Sequence, residues 1–278
     1  MFARAAVAAW AVWMSGIPAT AQQGAAPTAT TGWVVAMDLG KCTLGRRTEG
    51  AVAQMIRVVT EPGTDRYLLT LWDTAMPLTV MPAPETVMRV DGKIIGKFFG
   101  DFAPAGDGFR QRYIVPGLAP DHIAAIALGA KLEVAAGGNR IRDVNLADAK
   151  KAFSVLRDCE TGQLIEWGAD PAQFAAGGRT PIVGDRMRLV PQDVLKKVRF
   201  PGTPINPLHY AVVSETGVVE KCAAVHGIPN SDMEAVVCAY LTGRKIGEPA
   251  RDASGKPVRG VIALTPALIR RSYFSISG

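Results

Sequence analysis

The stretch that most constrains this chain is residues 209–264, where short β-branched runs, a turn and an amphipathic segment follow one another at fixed spacing. Residues 209–213 and 218–225 flank Ser214-Glu215-Thr216-Gly217, with glycine where a positive φ is cheapest, so the pair predicts a β-hairpin. A helix should follow. Asn230 or Ser231 can accept from the first free N–H groups, and Asp232 and Glu234 suit the positive helix end. Met233, Val236, Val237, Tyr240 and Leu241 recur at helical spacing, and Gly243 supplies a stop. Beyond Pro249 and a Ser254-Gly255 turn, residues 258–264 read as a last strand, interrupted at Arg259 and Gly260 and closed by Pro266.

This order of strand, glycine turn, strand, helix, Pro-Ala, Asp-x-x-Gly-x-Pro-Val and strand resembles the C-terminal domain of TonB-family proteins. Gly217-x-Val219 matches the family's turn and strand, and Cys222 and Cys238 match the cysteine pair of a variant branch. Pro249-Ala250, Asp252, Gly255, Pro257 and Val258 match the block before the last strand. The chain departs from the pattern at Gly227-Ile228-Pro229, where the family tends to have Ser-Ser-Gly. It departs again at Met233-Glu234, where the family has Leu-Asp, and at Gly247, where an aromatic usually precedes the Pro-Ala. The resemblance implies that an extended peptide, such as one from an outer-membrane receptor, adds to the sheet beside the final strand. That places the binding residues at Val258, Arg259, Gly260, Val261, Ile262, Ala263 and Leu264. The rival occupant of that edge is the chain's own tail, 267–275, which presents Ile269, Tyr273 and Phe274.

Residues 1–21 read as a secretory signal, with Arg4 as the charged start, an apolar run over 5–17 and an Ala19-Thr20-Ala21 cleavage site. As a helix the apolar run spans about 20 Å, short of the roughly 30 Å hydrocarbon core, so cleavage after Ala21 is expected rather than a retained span. The mature protein, beginning at Gln22, is therefore expected in the periplasm. Export makes the four cysteines legible as two disulfides. Three pairings are open. One bridge per domain favours Cys42 with Cys159 and Cys222 with Cys238. Cys222, His226 and Cys238 would offer zinc three ligands without an evident fourth, so neither metal nor cofactor is expected.

Residues 22–32 are small and polar and read as a disordered lead-in. From Trp33 the chain alternates short apolar runs with Gly, Pro and Asp, which predicts antiparallel strands over 33–39, 41–46, 52–60, 67–72 and 110–115. Asp91-Gly92 between 87–90 and 93–99 is the strongest hairpin signal, and Gly137-Gly138-Asn139 joins two further strands. Helices are expected over 121–128 and from Asn145 to Asp158, where Leu146, Ala149, Phe153 and Leu156 form one stripe. The fold class is α+β: a mainly antiparallel domain over 33–167, a linker over 168–185 rich in Ala, Gly and Pro, and a TonB-like domain over 186–278.

Residues 22–185 hold 17 Lys/Arg against 18 Asp/Glu, and residues 186–278 hold 13 against 7, so the positive excess sits in the C-terminal part. Outside the cytoplasm such a surface meets headgroups, glycolipids or cell-wall polymer rather than nucleic acid. His122, His209 and His226 sit in neither a G-x-S-x-G nor an H-E-x-x-H setting, so no catalytic residues are assigned. The reading is of an exported binding protein that takes an extended peptide or another envelope component, not an anchored energy transducer. The alternative is a periplasmic enzyme that uses its C-terminal domain to dock.

Overall fold

The computed structural model describes residues 28–30, 32–48, 54–73, 85–105, 109, 111–198, 208–225 and 231–265. The signal segment, the tail over 267–275 and His226 lie outside the described residues. The protein is α+β with mostly antiparallel sheets.

The N-terminal part packs two sheets face to face. Its strands are β1 (Thr28–Thr30), β2 (Trp33–Asp38), β3 (Lys41–Thr48), β4 (Gln54–Thr60), β5 (Tyr67–Asp73), β6 (Glu85–Val90), β7 (Lys93–Phe99), β8 (Asp101–Pro104) and β9 (Gln111–Leu118). Helix α1 (Pro120–Leu128), the hairpin of β10 (Lys131–Ala136) and β11 (Asn139–Asn145), and helix α2 (Ala149–Trp167) complete it. One sheet has the order β1-β2-β3-β4-β5-β9-β8 and the other β11-β10-β6-β7. Period-two alternation puts register partners on one face, so Leu44, Val58, Leu69 and Val115 form a buried row across the first sheet. Val90, Leu132 and Val144 form the facing row of the second. Phe153 and Leu156 of α2 close this core beside Trp33, and the Cys42–Cys159 disulfide ties β3 to the helix.

Two expectations are corrected here. Thr28–Thr30, inside the stretch read as a disordered lead-in, pairs with Trp33–Val35, because a short β-branched run beside the Gly32 turn completes a hairpin. Helix α2 starts later and runs farther than expected. Asn145 accepts from Ala147 N–H in a preceding turn rather than capping the helix, and the helix continues past Asp158 to Trp167, ending at Gly168 with φ 117°. Its second half buries Gln163 and Leu164, contacts that lie remote in sequence.

Residues 168–185, read as a linker, are folded. A 3-10 turn at Pro171–Phe174 is followed by β12 (Ile182–Val183), then a second 3-10 turn at Arg186–Arg188 and α3 (Gln192–Leu195). The remaining elements are β13 (His209–Val213), β14 (Val219–Ala224), α4 (Ser231–Leu241), β15 (Gly247–Glu248), β16 (Ala250–Arg251), β17 (Pro257–Val258) and β18 (Gly260–Leu264). Strand β12 pairs with β15, Arg179 and Arg251 exchange backbone bonds, and Asp170 N–H donates to Arg259 C=O, so the stretch satisfies its backbone against the C-terminal strands. The expected last strand is likewise split: β17 pairs with β16, and β18 alone pairs with β13.

The sheet β14-β13-β18 is covered on both faces. Ala211, Val213, Ile262 and Leu264 pack with Met233, Val237 and Leu241 of α4 and with Leu195, and the Cys222–Cys238 disulfide ties β14 to α4. Val212 and Val261 face Leu164 and Ala169, while Trp167 stacks on Tyr210 at 5.0 Å. A sheet buried on both faces reads as continuous apolar runs, which is the pattern of HYAVV and GVIAL.

Candidate functional site

The site proposed from sequence, 258–264, is occupied by the protein itself. Val258 and Gly260 to Leu264 are buried, and only Arg259 is exposed, its Nε–H donating to Gly168 C=O. The outer edge of β18 is taken by the turn after β4. Ala263 N–H donates to Pro62 C=O at 3.1 Å, and Arg186 bridges the contact by donating to Ala263 C=O at 3.3 Å and Gly63 C=O at 2.6 Å. Strand addition at these residues would require the 61–66 turn to leave, which corrects the open-edge expectation among the described residues. The turn is held by shape as well, since Gly63 has φ 66° and a β-carbon there would lie 2.4 Å from Val261 C=O. Gly63→Ala is therefore expected to destabilise the protein by about 2 kcal/mol or more, read as a lowered urea midpoint. An unchanged midpoint would show that this contact is dispensable.

Beside that turn Glu160 is buried, and its carboxyl is pushed up to about 8, first by burial and then by Asp65, with the backbone N–H of Gly63 opposing. Tyr67 is raised by burial, Glu160 and Asp65, with Arg157 opposing. Arg186 is pushed down to about 10 by burial, against Glu61 and Asp65. Below the ordinary glutamate value of 4.5 Glu160 is protonated in both folded and unfolded chains. As pH rises from there toward 8 only the unfolded chain releases this proton, so the group removes stability at up to about 1.4 kcal/mol per pH unit. Glu160→Gln is expected to flatten the fall in urea midpoint between about pH 5 and about pH 8. A variant whose midpoints keep the parent's slope would rule out Glu160 as its source.

The two described histidines have structural settings. His122 Nδ1 accepts from Ala119 N–H at 2.9 Å and its ring meets Phe98 edge-on, and His209 is buried in β13. Among the described residues no group of three or more His, Cys, Asp or Glu is placed to hold a metal, and no helix is long and apolar enough to cross a membrane.

The cavity that does stand out is a half-open groove of about 400 Å³ at the end of the two packed sheets. Its walls come from β3 and β4 (Arg46, Thr48, Gln54, Met55, Ile56), from Trp72 of β5, and from residues 130–131 and 142–145 of the β10–β11 hairpin. Alternation explains why polar groups gather there. Asp73 follows Leu69 and Leu71 on the inner face of β5, and Arg142 shares the inner face of β11 with Val144, so the two apolar faces end in a carboxylate and a guanidinium. They meet as an ion pair that joins the sheets, with Asp73 wholly buried and Arg142 mostly so. Burial holds the Arg142 guanidinium below its ordinary value.

The outer wall is equally ordered. Lys131 Nζ lies 2.8 Å from both Glu133 and Asp143, Arg140 also pairs with Asp143, and Arg46 donates to Asn145 C=O and Ala147 C=O. Lys131 holds the Glu133 carboxyl below its ordinary range. Strand β11 ends its sheet. Leu146 N–H donates to Ala130 C=O, so residues 144 and 142 face β10 with their backbone groups, and Asp143 N–H and C=O point away from it. Among the described residues the groove thus combines a strand edge with no partner strand at Asp143, fixed cations and an apolar floor of Ile56 and Val144. Sequence reading passed over it, although a charged residue in register with an apolar row was the available signal. The chain matches no protein-family model, no curated protein and no solved structure.

Proposed function

We propose that this is an exported binding protein of the cell envelope that takes an extended segment of a protein or peptide into the groove beside β11. The observation that carries the reading is the contrast between two edges. The outer side of β18 is capped by Pro62 and Arg186, whereas Asp143 of β11 presents an N–H and a C=O beside an apolar-floored groove. Strand addition supplies affinity through such main-chain groups and selectivity through the side chains flanking them. The C-terminal unit keeps the strand, turn, strand, helix and strand order that resembles a TonB C-terminal domain, and here it serves as a brace docked on α2. The signal-like start, cleaved after Ala21, would deliver the protein to the periplasm, where its disulfides form.

Two measurements test this. N-terminal sequencing of the protein released by osmotic shock should begin at Gln22, and an intact Met1 in the membrane fraction would overturn export. A photo-crosslinking residue at Thr48 or Asn145, in cells, should capture a protein partner, and the same residue at Arg259 should not. Capture from Arg259 alone would return the site to the C-terminal strand.

A further inference from the structure

Resting on that binding reading, we propose that the groove selects an extended peptide bearing a carboxylate, paired along β11 with the carboxylate set against Arg142. The argument begins with charge. Among the described residues Arg46, Lys131, Arg140 and Arg142 stand at the groove or its outer wall against Asp73, Glu133 and Asp143, and Asp73, which pairs with Arg142, is wholly buried. An entering ligand therefore meets one cation more than carboxylates in a partly desolvated setting, where a charge-assisted hydrogen bond is stronger than at an open surface.

Arg142 also has capacity to spare. Its guanidinium pairs with Asp73, yet its Nε–H is buried with no acceptor among the described residues. A donor buried in this way is stabilised by any acceptor that reaches it, and a carboxylate reaches a guanidinium with two oxygens at once. Lys131 is positioned beforehand by Glu133 and Asp143, and Arg46 by the carbonyls of Asn145 and Ala147, so little ordering remains to be done on binding.

The backbone supplies the rest. Asp143 N–H and C=O point away from β10 and offer a ladder position to an incoming strand. A strand paired there alternates its side chains between solvent and the inner face of Arg142, Val144 and Ile56, so β-branched residues two positions to either side of the acidic one suit the groove. An acidic glycan or a lipid headgroup would engage the cations without using the strand edge, which makes protection of the Asp143 amide the distinguishing readout.

The test uses the mature full-length protein and short synthetic peptides of alternating β-branched and polar residues. One set is blocked at both ends with Glu, Asp, Gln or Asn at the centre, and a second carries Gln at the centre with a free C-terminal carboxylate. Side-chain or terminal carboxylates are expected to bind about tenfold tighter than the blocked amides, with hydrogen exchange at Asp143 slowed on binding. The two sets show which carboxylate is preferred. The paired change Arg142→Met with Asp73→Asn, which leaves no lone buried charge, should erase that preference while the Asp143 amide stays protected. Lys131→Met, at a half-exposed position, should reduce the preference and serves as the readout if the paired variant does not fold. Equal binding of acid and amide peptides with Asp143 protected would overturn the proposal and leave the binding reading standing. Acid preference without protection at Asp143 would overturn the proposal by placing recognition off the strand edge. Binding of no peptide, with crosslinks absent from Thr48 and Asn145, would overturn both.

Discussion

Arg142→Met alone is expected to lower stability by about 3–5 kcal/mol, because it leaves the Asp73 carboxylate buried without its counter-ion. The cost comes from the charge left behind rather than from the attraction lost. An ionised carboxylate with no exposure retains its desolvation penalty and loses the guanidinium that pairs with it in the structure. The paired change Arg142→Met with Asp73→Asn should recover most of the loss, because a methionine opposite an amide buries no net charge. Urea denaturation of the parent and the two variants checks this. A single variant as stable as the parent would mean that the pair is not buried as the structure places it, and a paired variant as unstable as the single would assign the loss to packing.

The second large effect concerns the disulfides. Removing Cys42–Cys159 by Cys42→Ala with Cys159→Ala releases a loop of 117 residues, and chain entropy then favours the unfolded state by about 5 kcal/mol. Removing Cys222–Cys238 releases a loop of 16 residues and should cost about 3 kcal/mol. The order is the prediction: the N-terminal bridge is the larger stabiliser, because it joins β3 to α2 across the main core while the other closes a strand onto the next helix. Denaturation with and without reductant, variant by variant, measures it. An equal or larger loss on removing the C-terminal bridge would show that native-state packing around Cys222, rather than loop closure, sets the energetics.

Some of this architecture was legible in the residues themselves. Asp91-Gly92 and Gly137-Gly138 mark hairpins because only residues tolerant of positive φ make those turns, and both hairpins are present in the second sheet. The even cysteine count pointed to two bridges, and the favoured pairs are the ones found. The hairpin, helix and strand order of the C-terminal unit also came through, with α4 starting at Ser231 as its acidic first turn suggested. These features rest on local chemistry, where the causes lie within a few residues of the effect.

What tertiary structure alone decided is the fate of every surface those elements present. The residues of 168–185 have too few large apolar groups to read as folded, yet their backbone is satisfied by strands some seventy residues farther along the chain. The strand at 260–264 reads as an open edge until the turn at Pro62 and Gly63, about two hundred residues earlier, covers it. Asp73 and Arg142 each stand in an apolar register that period two reveals, but nothing in either strand says that the two faces oppose one another. Local propensity and alternation set which side of a strand is buried. Which edge is covered depends on long-range packing, which among the described residues closes β18 with the turn at Pro62 and places no strand beside β11.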